Sequence, residues 1–165
     1  MKELTIGAAQ KLTSPNPFGL VTVKKEDGSV NVMAVSWWNY VSNHPASLAV
    51  CLSKKGFSGG CIVAQKGFSL SLPGEALAAG ALACGTCSGR DRDKAAEFGI
   101  PITVNDDFPQ GMVDGSRVCF ACALSQCCDM GDHILYVGEI QKIVGDENVS
   151  ALYARNGYGE LTTVQ

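Results

Sequence analysis

Two short valine-rich segments flanking a tight turn constrain this chain more than any other feature. Gly19-Leu20-Val21-Thr22-Val23 reads as a strand, Lys24 to Ser29 is a polar turn carrying Asp27-Gly28, and a return strand runs from Val30 to about Trp38. Asp-Gly supplies the backbone angles that a hairpin turn needs, so the chain commits early to antiparallel β structure. The return strand alternates, with Val30, Val32, Ala34, Ser36 and Trp38 on one face and Asn31, Met33, Val35 and Trp37 on the other.

The same grammar continues downstream. Ser47 to Leu52 is almost wholly apolar, which implies burial on both faces. Ser53 to Ser58 leads into a short helix, Gly59 to Gln65. Phe68-Ser69-Leu70-Ser71-Leu72 alternates and stops at Pro73. Alanine-rich Glu75 to Ala83 predicts a helix, and Asp91 to Phe98 a second helical piece ended by Gly99 and Pro101. Strands are expected over 116–125 and 133–144, while Val149 to Ala154 fits strand or helix equally. About six strands, mostly hairpin-connected with short helices between them, predict an antiparallel barrel or sandwich with helical insertions. No strand–G-x-G-x-x-G–helix unit occurs, which excludes a Rossmann nucleotide domain.

At 165 residues, positions 1–165 are expected to form one domain that folds without staples. With 46% apolar and 18% charged residues the chain is not disordered. No run approaches 18 apolar residues, so no transmembrane helix is expected, and Met1-Lys2-Glu3-Leu4 turns acidic too early for a signal peptide. A cytoplasmic protein with no membrane partner is therefore the expectation. A net charge of −3 argues against a nucleic-acid partner.

Eight cysteines, at 51, 61, 84, 87, 119, 122, 127 and 128, invite a metal or disulfide reading. Cys119 and Cys122 lie in a strand, where residues three apart face opposite ways and cannot easily share one ion. Cys84 and Cys87 follow a helix instead of opening one, so they lack the placement that lowers a thiol's pKa. Small hydrophobic packing in a reducing compartment is the favoured reading, with no metal site expected. A zinc or dithiol role stays open for Cys84 and Cys87. Cys127-Cys128 reads as an exposed loop.

Four segments carry candidate chemistry. Asn31 to Ser42 mixes small, hydroxyl and aromatic residues at a strand end, where bare backbone amides can read the edge of a flat ligand; the same residues also make an ordinary core strand. Ser53-Lys54-Lys55-Gly56-Phe57-Ser58-Gly59-Gly60 sets two lysines and two serines before a helix N-terminus, a phosphate-like constellation or an exposed basic loop, without P-loop spacing. Cys87 to Lys94 reads either as a solvated, charged helix start capped by Asp91 or Asp93, or as a segment that sets Arg90 or Lys94 over an anionic ligand. Gly131-Asp132-His133 brings one of two histidines into a strand directly after an acid. A Ser36–His133–Asp132 hydrolase is disfavoured, because neighbours on a strand face opposite ways and no G-x-S-x-G elbow exists.

Taken in order, Asn16-Pro17-Phe18-Gly19-Leu20-Val21-Thr22-Val23, Asn31 to Trp38, Ser58 with its lysine-rich lead, Ser88-Gly89-Arg90-Asp91-Arg92-Asp93-Lys94 and Gly131 to Ile140 resemble the flavin reductase-like family, the FMN-binding split barrels that include flavoredoxins. The resemblance covers roughly 16–145. It implies a mainly β, six-stranded antiparallel Greek-key split barrel with short helical insertions, binding FMN at a homodimer interface. In that picture Met33, Ala34, Val35, Ser36, Trp37 and Trp38 lie along the isoalloxazine ring. Ser53, Lys54, Lys55, Phe57 and Ser58 hold the phosphate, Ser88, Arg90 and Lys94 approach the flavin or its phosphate, and His133 sits at the reacting face. The implied activity is an oxidoreductase reduced by NAD(P)H or a protein donor, passing electrons to free flavin, a metal ion or a redox partner. An FMN electron carrier without nicotinamide turnover is the alternative. Asn43-His44-Pro45-Ala46 has one proline where many relatives have two, and Asn156 to Glu160 lacks their basic and aromatic ending.

Overall fold

The computed structural model describes residues 1–164. Helix α1 (Ile6–Leu12) opens the chain and is capped by Thr5, whose hydroxyl accepts from the Ala8 N–H. The strands are β1 (Asn16–Pro17), β2 (Gly19–Lys24), β3 (Val30–Val35), β4 (Trp38–Asn43), β5 (Ala46–Ser53), β6 (Gly67–Pro73), β7 (Ile102–Thr103), β8 (Met112–Val113), β9 (Ser116–Asp129), β10 (His133–Gly145), β11 (Leu152–Arg155) and β12 (Glu160–Thr163). Helices α2 (Ser58–Gln65), α3 (Ala78–Ala83) and α4 (Lys94–Glu97) are short insertions.

The main sheet has the order β3-β2-β6-β9-β10-β5-β4, antiparallel throughout. All seven strands place a side chain on one core, among them Val21, Val35, Trp38, Val50, Phe68, Phe120 and Tyr136. A flat sheet cannot do this, so the sheet curls about that core. Its edge strands β3 and β4 are separated in sequence only by Ser36 and Trp37, where the Cys51 N–H donates to the Trp37 carbonyl at 2.8 Å. The mainly β architecture with short helical insertions expected from the sequence is therefore present.

A second core lies on the outer side of the first hairpin. There Phe18, Leu20 and Val32 pack with Ala81, Cys84, Ile100, Leu152 and Ala154. This cluster pins the 75–100 helical segment, and the small sheet β1-β11-β12, against β2 and β3. Its consequence is positional: α3 ends and α4 begins beside the strand end at Met33 and Ala34.

Several expectations need correction. The return strand stops at Val35, and Trp38 starts a separate strand paired with β5. The reason lies in Trp38 itself. Its indole turns into the main core beside Phe120, 6.5 Å between centroids, and Nε1 donates to the Pro17 carbonyl at 3.1 Å. β4 is an edge strand with an almost wholly exposed or half-buried pattern, so it leaves no alternation to detect. β6 is buried on both faces, not one, because the 102–113 excursion covers its polar side; the Val113 N–H donates to Ser71 Oγ at 3.1 Å. Helix α4 begins at Lys94 because Asp93 caps it, accepting from the Ala96 N–H at 3.1 Å. Cys127 and Cys128 lie in β9, not a loop, since β9 pairs with β10 through Asp129. The ambiguous 149–154 stretch ends as strand β11. Among the described residues, no helix is long and apolar enough to cross a membrane.

Candidate functional site

Two adjoining pockets share Met33 and Ala34, on the last turn of pleat before β3 ends. The first, about 310 Å³, is framed by Val35, Ser36, Trp37, Cys51, Ser53, His133 and Tyr158. The second, about 210 Å³, is framed by Lys55, Phe57, Ser58, Cys84, Cys87, Ser88 and Lys94. Together they form a path that runs from the open edge of the sheet to the start of α2.

Lys94 dominates the second pocket. It is 3% exposed, and its ammonium donates to the carbonyls of Cys84 at 2.9 Å and Cys87 at 3.2 Å. No carboxylate pairs with it among the described residues. Burial lowers its pKa, and the nearby Cys84 and Cys87 thiols oppose that shift. Two carbonyls use two of three ammonium hydrogens. A buried cation without a counter-charge is costly, and an anion in the pocket removes that cost. Burial in turn pushes the Cys84 thiol up to about 11, against the pull of Lys94.

Asn31 is the other buried polar group here. Its Nδ2 donates to Ser58 Oγ at 2.8 Å, while its Oδ1 has no partner. Gly89 lies against that oxygen so closely that any Cβ would overlap it. A glycine is therefore required where the 85–93 loop crosses β3. Ser88 Oγ accepts from the Arg90 N–H at 3.2 Å, shaping the same loop.

The first pocket is built from backbone and rings. The Ser36 N–H, just past the end of β3, donates to the Tyr158 hydroxyl at 2.6 Å, and the Tyr158 ring stands edge-on to Phe18 at 6.2 Å. Burial raises the Tyr158 phenol, opposed by its Ser36 contact. Trp37 tilts against His133 with 4.9 Å between centroids. His133 Nδ1 lies 2.7 Å from Asp132 Oδ1, and this contact is the main reason the Asp132 carboxyl sits below its usual range. The expectation that Asp132 is poorly placed to orient His133 is thus overturned. Asp132 belongs to the turn, not the strand: Gly131 has φ +84° and β10 starts only at His133. Ser36 Oγ makes no hydrogen bond to the ring among the described residues, so no nucleophile–base pair is assembled.

Three residues expected in the site lie outside both pockets. Trp38 is committed to the core. Lys54 Nζ grips both Asp129 carboxylate oxygens at 2.7 Å, and Arg90 leans over the Phe57 ring at 5.7 Å. Both cations open onto a third, shallower groove along α2.

The sequence from 12 to 162 matches the model of the flavin reductase like domain. The chain belongs to that family. A flavin-related redox role comes with the membership. A curated relative, the uncharacterised protein YddH of Escherichia coli (strain K12), is 30% identical over 107 residues, 64% of this chain and 57% of that protein. The aligned part thus spans little more than half of that relative's length. Among solved structures, the flavoredoxin of Desulfovibrio vulgaris (Miyazaki F) is similar over 100% of this chain and 94% of its own, at 24% identity and TM-score 0.87. The NADH:FAD oxidoreductase of Streptomyces globisporus gives 15% identity and TM-score 0.86, covering 100% and 99%. An FMN-binding protein of Thermus thermophilus gives 22% and 0.83, covering 99% and 93%. At these identities the likeness is one of fold.

Within the family frame, several pocket residues escaped the sequence reading. Gln10 and Thr13 reach the first pocket from the N-terminal lead, whose role no local pattern announces. Cys51 reaches it from the outward face of β5. Tyr158 belongs to the C-terminal stretch that reads as lacking an aromatic ending, yet the β11–β12 turn, with φ +52° at Asn156 and +72° at Gly157, carries it onto the Ser36 amide. Among the described residues, no three His, Cys, Asp or Glu side chains cluster to hold a metal ion.

Proposed function

We propose that this protein is an FMN-dependent oxidoreductase. One domain spanning 1–165 would work in the cytoplasm as a homodimer. The observation that carries the reading is buried, unpaired Lys94 at one end of a continuous two-pocket path whose other end is bare strand backbone. That polarity fits a ligand with a flat uncharged end and an anionic end. Lys94, Lys55, Ser58 and Ser88 would hold the phosphate, with Phe57 against the chain that joins it to the ring. Met33, Ala34, Val35, Ser36, Trp37 and Ser53 would line the ring. Lys54, Arg90 and Trp38 are not part of this set.

When bound, FMN supplies the hydride- and electron-accepting chemistry, and the protein supplies placement and electrostatics. Asp132 holds His133 by Nδ1, which leaves Nε2 free at the first pocket to donate or accept a hydrogen bond. Trp37 shields one side of that imidazole. Small residues at Ala34 and Ser36 let a planar group approach the strand. NAD(P)H is the favoured donor, and free flavin, a metal ion or a redox protein the acceptor. The neighbour named as an NADH:FAD oxidoreductase supports this direction.

The test is the absorption spectrum and mass of whatever small molecule copurifies, followed by stopped-flow mixing with NADH and NADPH. A flavin band near about 450 nm with rapid bleaching is expected, the band being the cofactor's own property. A yellow protein that neither nucleotide reduces would leave an electron carrier. Zinc without that band would overturn the reading in favour of a Cys84–Cys87 structural role.

A further inference from the structure

Cys84 and Cys87 have no part in the FMN reading, yet both border the Lys94 pocket and both thiols are free. The chain between them is a turn: the Gly85 N–H donates to the Leu82 carbonyl and the Thr86 N–H to the Ala83 carbonyl, each at 3.0 Å. Both cysteines give their carbonyls to one ammonium, Lys94 Nζ, at 2.9 and 3.2 Å. Residues i and i+3 of a tight turn fall within the Cα separation that a disulfide needs. The two thiols differ in access. Cys84 is 1% exposed and packs in the outer core with Val32, Ala81 and Ile100, whereas Cys87 is half-buried at the pocket. Burial pushes the Cys84 thiol up to about 11; Lys94 opposes that shift and the neighbouring Cys87 thiol adds to it. The loop that follows is fixed at its far end, where Gly89 is wedged against Asn31.

We propose that Cys84 and Cys87 form a reversible disulfide that switches the phosphate end of the site, so that oxidation weakens FMN binding; the ligand in this proposal rests on the FMN reading. The oxidant is a small disulfide such as oxidised glutathione. Cys87, as thiolate, attacks one of its sulfurs, expels one glutathione thiolate and forms a mixed disulfide. Cys84, as thiolate, then attacks the Cys87 sulfur and expels the second. Two electrons pass from the protein thiols to the small disulfide, and their two protons go to the two released thiolates. Cys84 reacts second because burial makes it hold its proton, and attack within one turn needs no encounter. Closing the bond requires a sulfur to move. The outer core holds Cys84, so Cys87 swings inward and its carbonyl turns off the Lys94 ammonium. Ser88, next in the chain, is drawn from the phosphate position while Gly89 stays wedged. The ring pocket at Ser36 is untouched, so the loss falls on the phosphate alone. In a reducing compartment such a bond is transient, as a redox sensor requires.

The experiment incubates the flavin-free full-length protein with oxidised or reduced glutathione, maps its linked peptides by mass, and titrates each form with FMN and riboflavin by calorimetry. Cys87→Ser and Cys84→Ala are treated alike, each compared with its own reduced form, and circular dichroism confirms that they fold. Oxidised wild type should yield a Cys84–Cys87 linked peptide and lose at least about tenfold in FMN affinity, with riboflavin within about twofold. Dithiothreitol should restore the affinity, and both variants should lose less than about twofold on oxidation. Linkage gives a second readout: saturating FMN should raise the midpoint potential of the pair by about 30 mV for each tenfold difference in FMN affinity. Absence of the linked peptide would overturn the switch. So would a linked form that binds FMN as well as the reduced form or better, or one that loses riboflavin equally. An equal loss in the variants would assign the effect to another cysteine and also refute it. Failure of reduced wild type to bind FMN would strike the FMN reading itself and the switch with it. In every other overturning outcome FMN binding survives and only the switch falls.

Discussion

The two pockets that meet at Met33 and Ala34 solve opposite recognition problems. The Lys94 pocket is the smaller, and its chemistry is charge held by side chains. The Ser36 pocket is larger, its chemistry is backbone and aromatic surface, and His133 stands at it with its acid Asp132. Charge recognition tolerates little rearrangement, because a buried ammonium must find a partner at a fixed place. Ring recognition can rely on a strand end that any small residues would provide. The first should therefore be fragile to single substitutions and blind to the ring. The second should be robust, and blind to the phosphate. Comparing FMN with riboflavin, which lacks only the phosphate, separates them.

Lys94→Met should have the largest effect. It keeps the length of the side chain but removes the charge, and FMN affinity should fall on the order of 100-fold while riboflavin affinity stays within about threefold. Calorimetric Kd values for both ligands give the answer, with circular dichroism to confirm folding. Equal loss would show that Lys94 only pins Cys84 and Cys87. The pH dependence carries the same point. Burial lowers the Lys94 pKa, so in the unliganded protein the unfolded chain holds this proton more tightly. Stability from this group therefore rises with pH across the window between the lowered value and the ordinary 10.5. The preference for FMN over riboflavin should run the other way, shrinking as pH rises through that window.

Ala34→Leu should come next. Ala34 borders both pockets, so a larger side chain should weaken FMN and riboflavin alike, by about tenfold. A loss confined to FMN would break the division drawn here. Lys55→Ala should be milder and one-sided, about threefold for FMN alone, because an exposed lysine gives a screened interaction. Lys54→Ala should leave both flavins unchanged, since that ammonium is already spent on Asp129.

Legibility in the sequence followed the same division. The hairpin 19–38 carried a period of two and a turn signal, so β2 and most of β3 could be read with the correct faces: Val32 reaches the outer core and Val35 the inner one. The phosphate-like lysine–serine segment could be read because charge and glycine stand out locally. Which lysines serve it could not. Lys54 and Lys55 are neighbours in one turn, and their partners, Asp129 and the Lys94 pocket, come from distant strands and loops. Trp38 and Asp132 show the other limit. Each was assigned by extending a strand's alternation one step too far, across the Ser36–Trp37 break and into the Gly131 turn. Tyr158 was out of reach because a tip between two short strands carries no periodic signal.

Tyr158→Phe should give the smallest change, and its sign carries the information. The Tyr158 hydroxyl accepts the Ser36 N–H at 2.6 Å, the donor a flavin ring edge would need at that strand end. Binding must then exchange one hydrogen bond for another. Removing the hydroxyl leaves the N–H to water or to ligand and keeps the ring against Phe18. A neutral hydrogen bond contributes about 1 kcal/mol, so riboflavin and FMN should both bind up to about fivefold more tightly. A matching loss of affinity for both would mean that the hydroxyl is a wall of the site, holding Ser36 in place for the ring. Either result leaves the Lys94 pocket untouched, because the ratio of FMN to riboflavin affinity should stay constant. A ratio that moved with Tyr158 would join the two pockets into one recognition unit.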